Sequence, residues 1–75
     1  MTAATVLGKR IEHLRKKKGW SHLELSLESG VNKNYICDLE NGRRNPSLEI
    51  LEKISIALNI TLEELFKGVQ SIPGI

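Results

Sequence analysis

The chain has 75 residues, of which 40% are hydrophobic and 27% charged, and its formal net charge is +2. This composition argues against disorder and predicts a single domain over residues 1–75, with a core at about 5–67 and a tail at 68–75. One cysteine rules out an internal disulfide framework. We find no apolar run of membrane-spanning length and no signal peptide, and therefore expect a cytoplasmic protein with no membrane partner.

The first predicted element is a helix. Leu7, Ile11 and Leu14 recur at the spacing of one helical face, which indicates a helix from about Thr5 to about Lys18. Residues 1–4 are expected to fray. Basic residues are concentrated in and just after this helix: Lys9, Arg10, Arg15, Lys16, Lys17 and Lys18. This basic block either attracts phosphates or serves only as a solubilising surface.

A second helix is framed by signals at both of its ends. Ser21 followed by Glu24 is a capping box, and Trp20 with Leu25 forms the matching hydrophobic staple. Gly30 is suited to the left-handed backbone that ends a helix. The pattern therefore predicts a short helix between Ser21 and Gly30.

A third helix follows after about three residues. Asn32 is its predicted N-cap, Val31 and Ile36 form a second staple, and Asn41 with Gly42 ends the helix. Two helices of about eight residues with this short connection have the spacing of a helix-turn-helix.

The third helix has two chemically different sides. Its predicted inner side carries Tyr35, Ile36, Leu39 and Glu40. Its predicted outer side carries Lys33, Asn34, Cys37, Asp38 and Asn41. The outer side offers a cation, amides, a carboxylate and a thiol but no large aliphatic residue. It is either a solvated face or a face that reads base edges, and the capped helix pair favours reading.

Two more helices complete the predicted fold. Pro46 prevents continuation of a helix, and Ser47 caps a fourth helix that runs to about Asn59. Its predicted inward residues are Leu48, Leu51, Ile54, Ala57 and Leu58. Thr61 caps a short fifth helix, stapled by Ile60 and Leu65, that closes near Gly68. The expected class is all-α, with five helices.

Catalytic and metal-binding patterns are missing from the sequence. The two histidines and one cysteine lack the spacing of a zinc site, and there is no glycine-rich phosphate loop or serine elbow. We therefore expect no enzyme, metal, cofactor or small-molecule ligand.

The distributed pattern resembles the Cro/repressor-type helix-turn-helix family of bacteria and phages over about residues 5–67. The matching residues are Gly8, Ile11, Leu14 and Arg15; Gly19, Trp20 and Ser21; Glu24 and Leu25; Gly30 and Val31; Tyr35 and Ile36; Leu39–Gly42; Arg43–Leu48; Leu51 and Ile54; Ala57 and Leu58; and Leu62–Phe66. The resemblance implies a compact, lambda-repressor-like DNA-binding domain with the helix-turn-helix at helices 2 and 3. It implies a sequence-specific transcriptional regulator, with residues of about 32–40 in the major groove.

The resemblance also implies roles for individual residues. The base-reading positions would be Lys33, Asn34, Cys37 and Asp38. The phosphate contacts would be Asn41, Arg43 and Arg44, to which we add His22 and Tyr35 as expected contacts. Tyr35 either leans on the second helix or reaches a phosphate with its hydroxyl. Asp38 either accepts from cytosine or pairs with one of the two arginines. Cys37 is a thymine-methyl contact, a passive small side chain or a redox-sensitive thiol.

Two positions in the first helices are informative within this resemblance. In family members Arg15 usually pairs with Glu40, which ties the first helix to the end of the reading helix. His22 stands where the family often has Gln. We hypothesise that His22 contacts a phosphate, and that protonation below about pH 6.5 strengthens the contact.

The resemblance further implies a partner besides double-stranded DNA. We expect a homodimer on a pseudo-palindromic operator, with an interface formed by Leu65, Phe66, Val69 and Ile72. The alternative is a protein-interaction module of the same fold, which binds an antirepressor, a toxin or a sister regulator.

Overall fold

The computed structural model describes residues 2–69, so Ile72, predicted at a dimer interface, lies outside the described residues. The helices are α1 (Ala3–Lys17), α2 (His22–Ser29), α3 (Lys33–Glu40), α4 (Leu48–Ala57) and α5 (Leu62–Leu65). Within residues 2–69 there is no strand, and no helix is both long and apolar enough to cross a membrane. The predicted all-α class with five helices is confirmed.

The predicted caps set the ends of α2 and α3. The Ser21 hydroxyl accepts from the Glu24 amide at 3.1 Å, and the Glu24 carboxylate accepts from the Ser21 amide at 2.8 Å. The Asn32 side chain accepts from the amides of Asn34 and Tyr35 at 2.8 and 3.1 Å. Each cap satisfies backbone donors that the first turn of a helix leaves unpaired.

The first helix begins earlier than predicted. The Thr2 hydroxyl accepts from the Thr5 amide at 3.2 Å, so the helix starts at Ala3. The start predicted at about Thr5 is therefore two residues too late. Threonine is a preferred N-cap, and two alanines after it favour the helical backbone.

The core lies between the helices and is aliphatic. Its buried residues are Leu7, Ile11, Leu25, Val31, Ile36, Leu39, Leu51, Ile54, Leu58 and Leu65. Helix α3 packs against α1 and α2, and α4 packs against α2 and α5. The inner side of α3 is therefore covered by two helices.

Two predicted positions differ from the structure. Leu48 was expected to face inward but is 68% exposed, because it occupies the first helical position, where no neighbouring element covers it. Leu65 was assigned to the dimer interface but is fully buried in its own domain. That assignment is wrong, since the side chain offers no surface to a second chain. Phe66 is 37% exposed and Val69 is half-buried.

Helices α1 and α3 approach each other closely where α3 ends. A Cβ on Gly8 would lie 2.8 Å from the Glu40 carbonyl oxygen and still closer to that of Leu39. Just beyond, Gly42 has a φ of 74°, and a Cβ there would lie 2.9 Å from the Thr5 hydroxyl. The two glycines let the first helix lie directly against the last turn of α3.

Candidate nucleic-acid interface

The turn between α2 and α3 fixes where α3 points. Gly30 has a φ of 76° and donates its amide to the Ser26 carbonyl at 2.8 Å. Val31, which follows, is buried, and its amide donates to the Ser29 hydroxyl at 3.2 Å. The left-handed glycine reverses the chain, and the buried valine anchors the start of α3.

A buried ion pair holds the other end of α3. Arg15 donates through Nε and Nη2 to the two carboxylate oxygens of Glu40, at 2.7 and 3.0 Å. The two side chains are only 7% and 4% exposed. The hydrogen bond to Glu40 raises the pKa of Arg15 above its ordinary value, although burial opposes this. The guanidinium also donates to the Trp20 carbonyl at 2.7 Å. The pairing of Arg15 with Glu40 that the resemblance predicts is confirmed.

His22 has a protein partner that the sequence did not predict. Its Nε2 lies 2.9 Å from Oε1 of Glu40, and its side chain is 37% exposed. The Glu40 carboxylate is thus shared between the start of α2 and the last turn of α1. The phosphate contact and pH dependence that we hypothesise for His22 stay predictions. No signal within the sequence pairs residues 22 and 40, which are 18 positions apart.

The outer face of α3 is presented outward, as predicted. Lys33 and Asn34 are exposed, and Cys37 and Asp38 are half-buried. On the opposite side, the core residues Ile36 and Leu39 are fully buried and Glu40 is buried in the ion pair. We define Lys33, Asn34, Cys37 and Asp38 as the outer face of α3. It combines hydrogen-bond donors and acceptors in a row that can meet a partner.

Two arginines after α3 gather around its outer face. Arg43 Nη1 and Arg44 Nε lie 3.8 and 3.6 Å from the Asp38 carboxylate, and both arginines are exposed. The Arg44 guanidinium also lies over the half-buried Tyr35 ring, 4.9 Å from its centroid. The sequence predicted an Asp38 pairing with either arginine, and the structure brings both into range. The stacking on Tyr35 was not predicted.

Asn41 is engaged with the helix that it follows. Its Nδ2 donates to the Cys37 carbonyl at 2.8 Å, and the residue is exposed. The amide therefore caps the end of α3 in the free protein. Its contact with a phosphate stays a prediction.

The basic block of α1 does not form one patch at this face. Arg10 donates to the Glu64 carbonyl at 2.8 Å, Arg15 is buried with Glu40, and Lys16 pairs with Glu12 at 3.3 Å. The positive charges that accompany the outer face of α3 are instead Lys33, Arg43 and Arg44. Three of the six basic residues are therefore already engaged within the domain, and the phosphate interpretation of the block stays a prediction.

Metal chemistry has no visible basis at this surface. Among the residues that the structure describes, no three His, Cys, Asp or Glu side chains come together in a way that could hold a metal ion. The side chains of the outer face of α3 can form hydrogen bonds, ion pairs and apolar contacts with a partner.

Comparison with known proteins places this geometry among DNA-binding regulators. A family model described as "Helix-turn-helix" matches residues 11–65. The HTH-type transcriptional regulator SlrR of Bacillus subtilis is 44% identical over 62 residues, which are 81% of this chain and 41% of SlrR. The control protein C.MunI of a Mycoplasma species is 41% identical over 64 residues, covering 84% of this chain and 86% of C.MunI. The chain therefore spans less than half of SlrR but most of C.MunI.

A solved structure agrees with these sequence relatives. The restriction-modification controller protein C.AhdI of Aeromonas hydrophila superposes with a TM-score of 0.82 at 38% sequence identity. The match covers 84% of this chain and 96% of C.AhdI. The arrangement of the five helices is thus shared over nearly the whole of that protein.

Proposed function

Because the chain belongs to the helix-turn-helix family, we propose that it is a sequence-specific DNA-binding transcriptional regulator that inserts α3 into the major groove. The observation that carries this proposal is the chemistry of the outer face of α3. It presents polar and charged groups on a helix whose opposite side is held by the Arg15–Glu40 pair. A rigid support for base-reading groups is what a major-groove helix requires.

Base reading is assigned to the exposed start of α3. Lys33 can donate to guanine O6 and N7, and Asn34 can form a bidentate pair with adenine. Cys37 lies one turn further along, where its small side chain can contact a thymine methyl. Asp38 can accept a hydrogen bond from cytosine N4.

Phosphate contacts are assigned to the residues around the outer face of α3. These are His22, Tyr35, Asn41, Arg43 and Arg44. The two arginines are exposed and follow α3 directly, so they can reach phosphates beside the groove that α3 would enter. They supply affinity without sequence information, and log K should fall with log salt at about −0.9 per phosphate neutralised.

We propose that the regulator acts as a homodimer. One small domain makes few DNA contacts, and a two-fold pair would place two reading helices on half-sites about 34 Å apart. Phe66 remains partly exposed after α5 and supports this choice of interface, with Val69 beside it. The operator would then be pseudo-palindromic.

The proposed effect on transcription follows from occupancy of the operator by the protein. A bound dimer blocks polymerase where the operator overlaps a promoter and recruits it where the operator lies beside one. SlrR and C.AhdI carry the names of a transcriptional regulator and a controller protein, which supports such a role for this chain. We place this binding activity, without catalysis, in the cytoplasm.

Selection of binding sites from random duplexes tests the proposal. We expect enrichment of one sequence with two-fold symmetry and with half-sites one helical turn apart. The Lys33→Ala variant, tested on the selected site, should lose preference at one base pair in each half-site. Recovery of random sequence by the wild-type chain would contradict sequence-specific binding.

A second candidate function rests on the surface of α2. Leu23 and Leu27 are one turn apart and are 54% and 73% exposed, which favours a protein-interaction module. In that case the duplex selection would fail, and Leu27→Ser would abolish capture of a protein partner while the fold is retained.

A further inference from the structure

Asp38 occupies an unusual place for an acidic residue. It belongs to the outer face of α3, which we propose to meet DNA, and its carboxylate is 35% exposed. It lies 3.8 Å from Arg43 Nη1 and 3.6 Å from Arg44 Nε. A carboxylate at this position repels phosphates and at the same time occupies two of the cations that would attract them.

The backbone keeps the two arginines near Asp38. The Asp38 carbonyl accepts from the amides of Arg43 and Asn41 at 2.9 and 3.2 Å, so the chain after α3 folds back over the helix end. The Tyr35 ring, 4.9 Å from the Arg44 guanidinium, supports that arginine from the other side. The arrangement is therefore a defined cluster in the free protein, and its carboxylate stands where a DNA phosphate would otherwise pair.

The cluster has a consequence for discrimination between duplexes. Phosphates that take both Arg43 and Arg44 leave the Asp38 carboxylate without either partner, on the face that we propose to enter the groove. Desolvating an unpaired carboxylate is unfavourable unless a donor replaces the lost partner. In the major groove the amino groups of cytosine and adenine are such donors, whereas guanine and thymine present only acceptors there, apart from the thymine methyl.

We propose that Asp38 is a specificity-determining residue that acts as an electrostatic gate. It holds Arg43 and Arg44 away from phosphates until the bound duplex presents an amino group to its carboxylate. The gate lowers affinity for random duplexes more than for the operator. This inference rests on the proposed function, because it concerns the same DNA-binding surface.

The test compares Asp38→Asn with Glu52→Gln. Glu52 is exposed on α4 and has no ion pair within residues 2–69, so its neutralisation makes the same change in net charge without touching the cluster. We expect Asp38→Asn to raise affinity for a random duplex about three- to tenfold, as two exposed ion pairs cease to compete with phosphates. Affinity for the operator found by selection should rise less, so the ratio of operator to random affinity should fall.

The outcome that overturns the gate is an equal effect of the two variants on random duplexes, since net charge alone would then explain both. An unchanged ratio of operator to random affinity in Asp38→Asn would also overturn it. Circular dichroism of both variants checks that the fold is kept, and Asp38→Ser provides a second neutral side chain at the position.

A polyanion without bases separates this inference from the proposed function. On immobilised heparin, Asp38→Asn should elute at higher salt than Glu52→Gln, because Arg43 and Arg44 are released whether or not the chain reads DNA. Elution of both variants at the same salt would contradict the gate. A wild-type chain that prefers no duplex would contradict the proposed function, and the heparin comparison would still decide whether Asp38 restrains the arginines.

Discussion

At the scale of single residues, Glu40 links three helices through its side chain. Its buried carboxylate accepts two hydrogen bonds from Arg15 and lies within hydrogen-bond distance of His22. A buried ion pair of this kind adds little stability compared with a well-packed apolar pair, because both charges lose their hydration. Removal of one partner is different, since it leaves an uncompensated charge in the interior.

We expect Arg15→Ala to lower the free energy of unfolding by about 3–5 kcal/mol, because Glu40 would remain buried without the guanidinium and with only His22 beside it. Urea denaturation at neutral pH measures the change. The matched control is Lys16→Ala, whose exposed pair with Glu12 contributes at most about 0.5 kcal/mol. Similar losses in the two variants would show that the buried pair has no special role.

Base-reading and phosphate-binding residues should differ in how their removal affects DNA binding. Asn34→Ala should cost about 1–3 kcal/mol on the selected operator and relax preference at one base position. In the Asp38→Asn background, where Arg44 is no longer restrained, Arg44→Ala should weaken operator and random duplexes nearly equally and reduce the slope of log K against log salt by about 0.9. Titrations at several salt concentrations measure both. A uniform loss across sequences for Asn34→Ala would contradict its assignment as a base reader.

At the scale of elements, the contact of α1 with α3 depends on a missing side chain. Gly8 lies in the middle of α1, where glycine weakens a helix by about 1 kcal/mol relative to alanine. The gain from alanine is opposed by a clash, because the nearest atoms are the backbone carbonyl oxygens of Leu39 and Glu40. Backbone atoms cannot rotate away as a side chain can, so the clash should exceed the gain.

We therefore expect Gly8→Ala to destabilise the domain by about 1–3 kcal/mol and to weaken operator binding, since the end of α3 must shift. Thermal unfolding and DNA titration measure the two effects. Lys9→Ala, at the exposed neighbouring position, should change neither stability nor the support of α3 appreciably. A Gly8→Ala variant more stable than the wild type would show that the helices can separate without cost.

The elements were largely predictable from sequence because their ends are marked by local chemistry. The caps at Ser21 and Asn32 act within three residues, so spacing alone identifies them. Exposure was harder to predict, because it depends on which distant element covers a face. Leu48 and Leu65 have equal apolar character, yet one is exposed and the other is fully buried. The proximity of His22 to Glu40 likewise arises only when α2 and α3 pack together.

At the scale of the whole molecule, several large apolar side chains are not buried in the core and lie on the surface. Leu23, Leu27, Leu48 and Ile56 are more than half exposed, and Phe66 is 37% exposed. Phe66 is the largest of these side chains and follows the last helix, away in sequence from the outer face of α3. Because Phe66 is not one of the outer-face residues, the proposed dimer contact and the proposed DNA contact use different side chains.

We expect Phe66→Asp to convert the proposed dimer into a monomer, because a carboxylate would be placed in an apolar interface without a partner. Sedimentation at micromolar concentration measures the mass. Leu27→Asp, which places the same charge at a more exposed position on α2, should sediment as the wild type does. A wild-type chain that stays monomeric well above micromolar concentration would contradict the dimer.

The side chains that hold α3 against the domain are different from those of its outer face. Ile36, Leu39 and Glu40 hold the helix, whereas the outer-face residues Lys33 and Cys37 point the other way. Substitutions among the four outward positions can therefore accumulate without disturbing the interior. If these positions read bases as we propose, the domain is a reusable scaffold, on which a lineage or a protein engineer can exchange the recognised sequence while the supporting architecture is inherited unchanged.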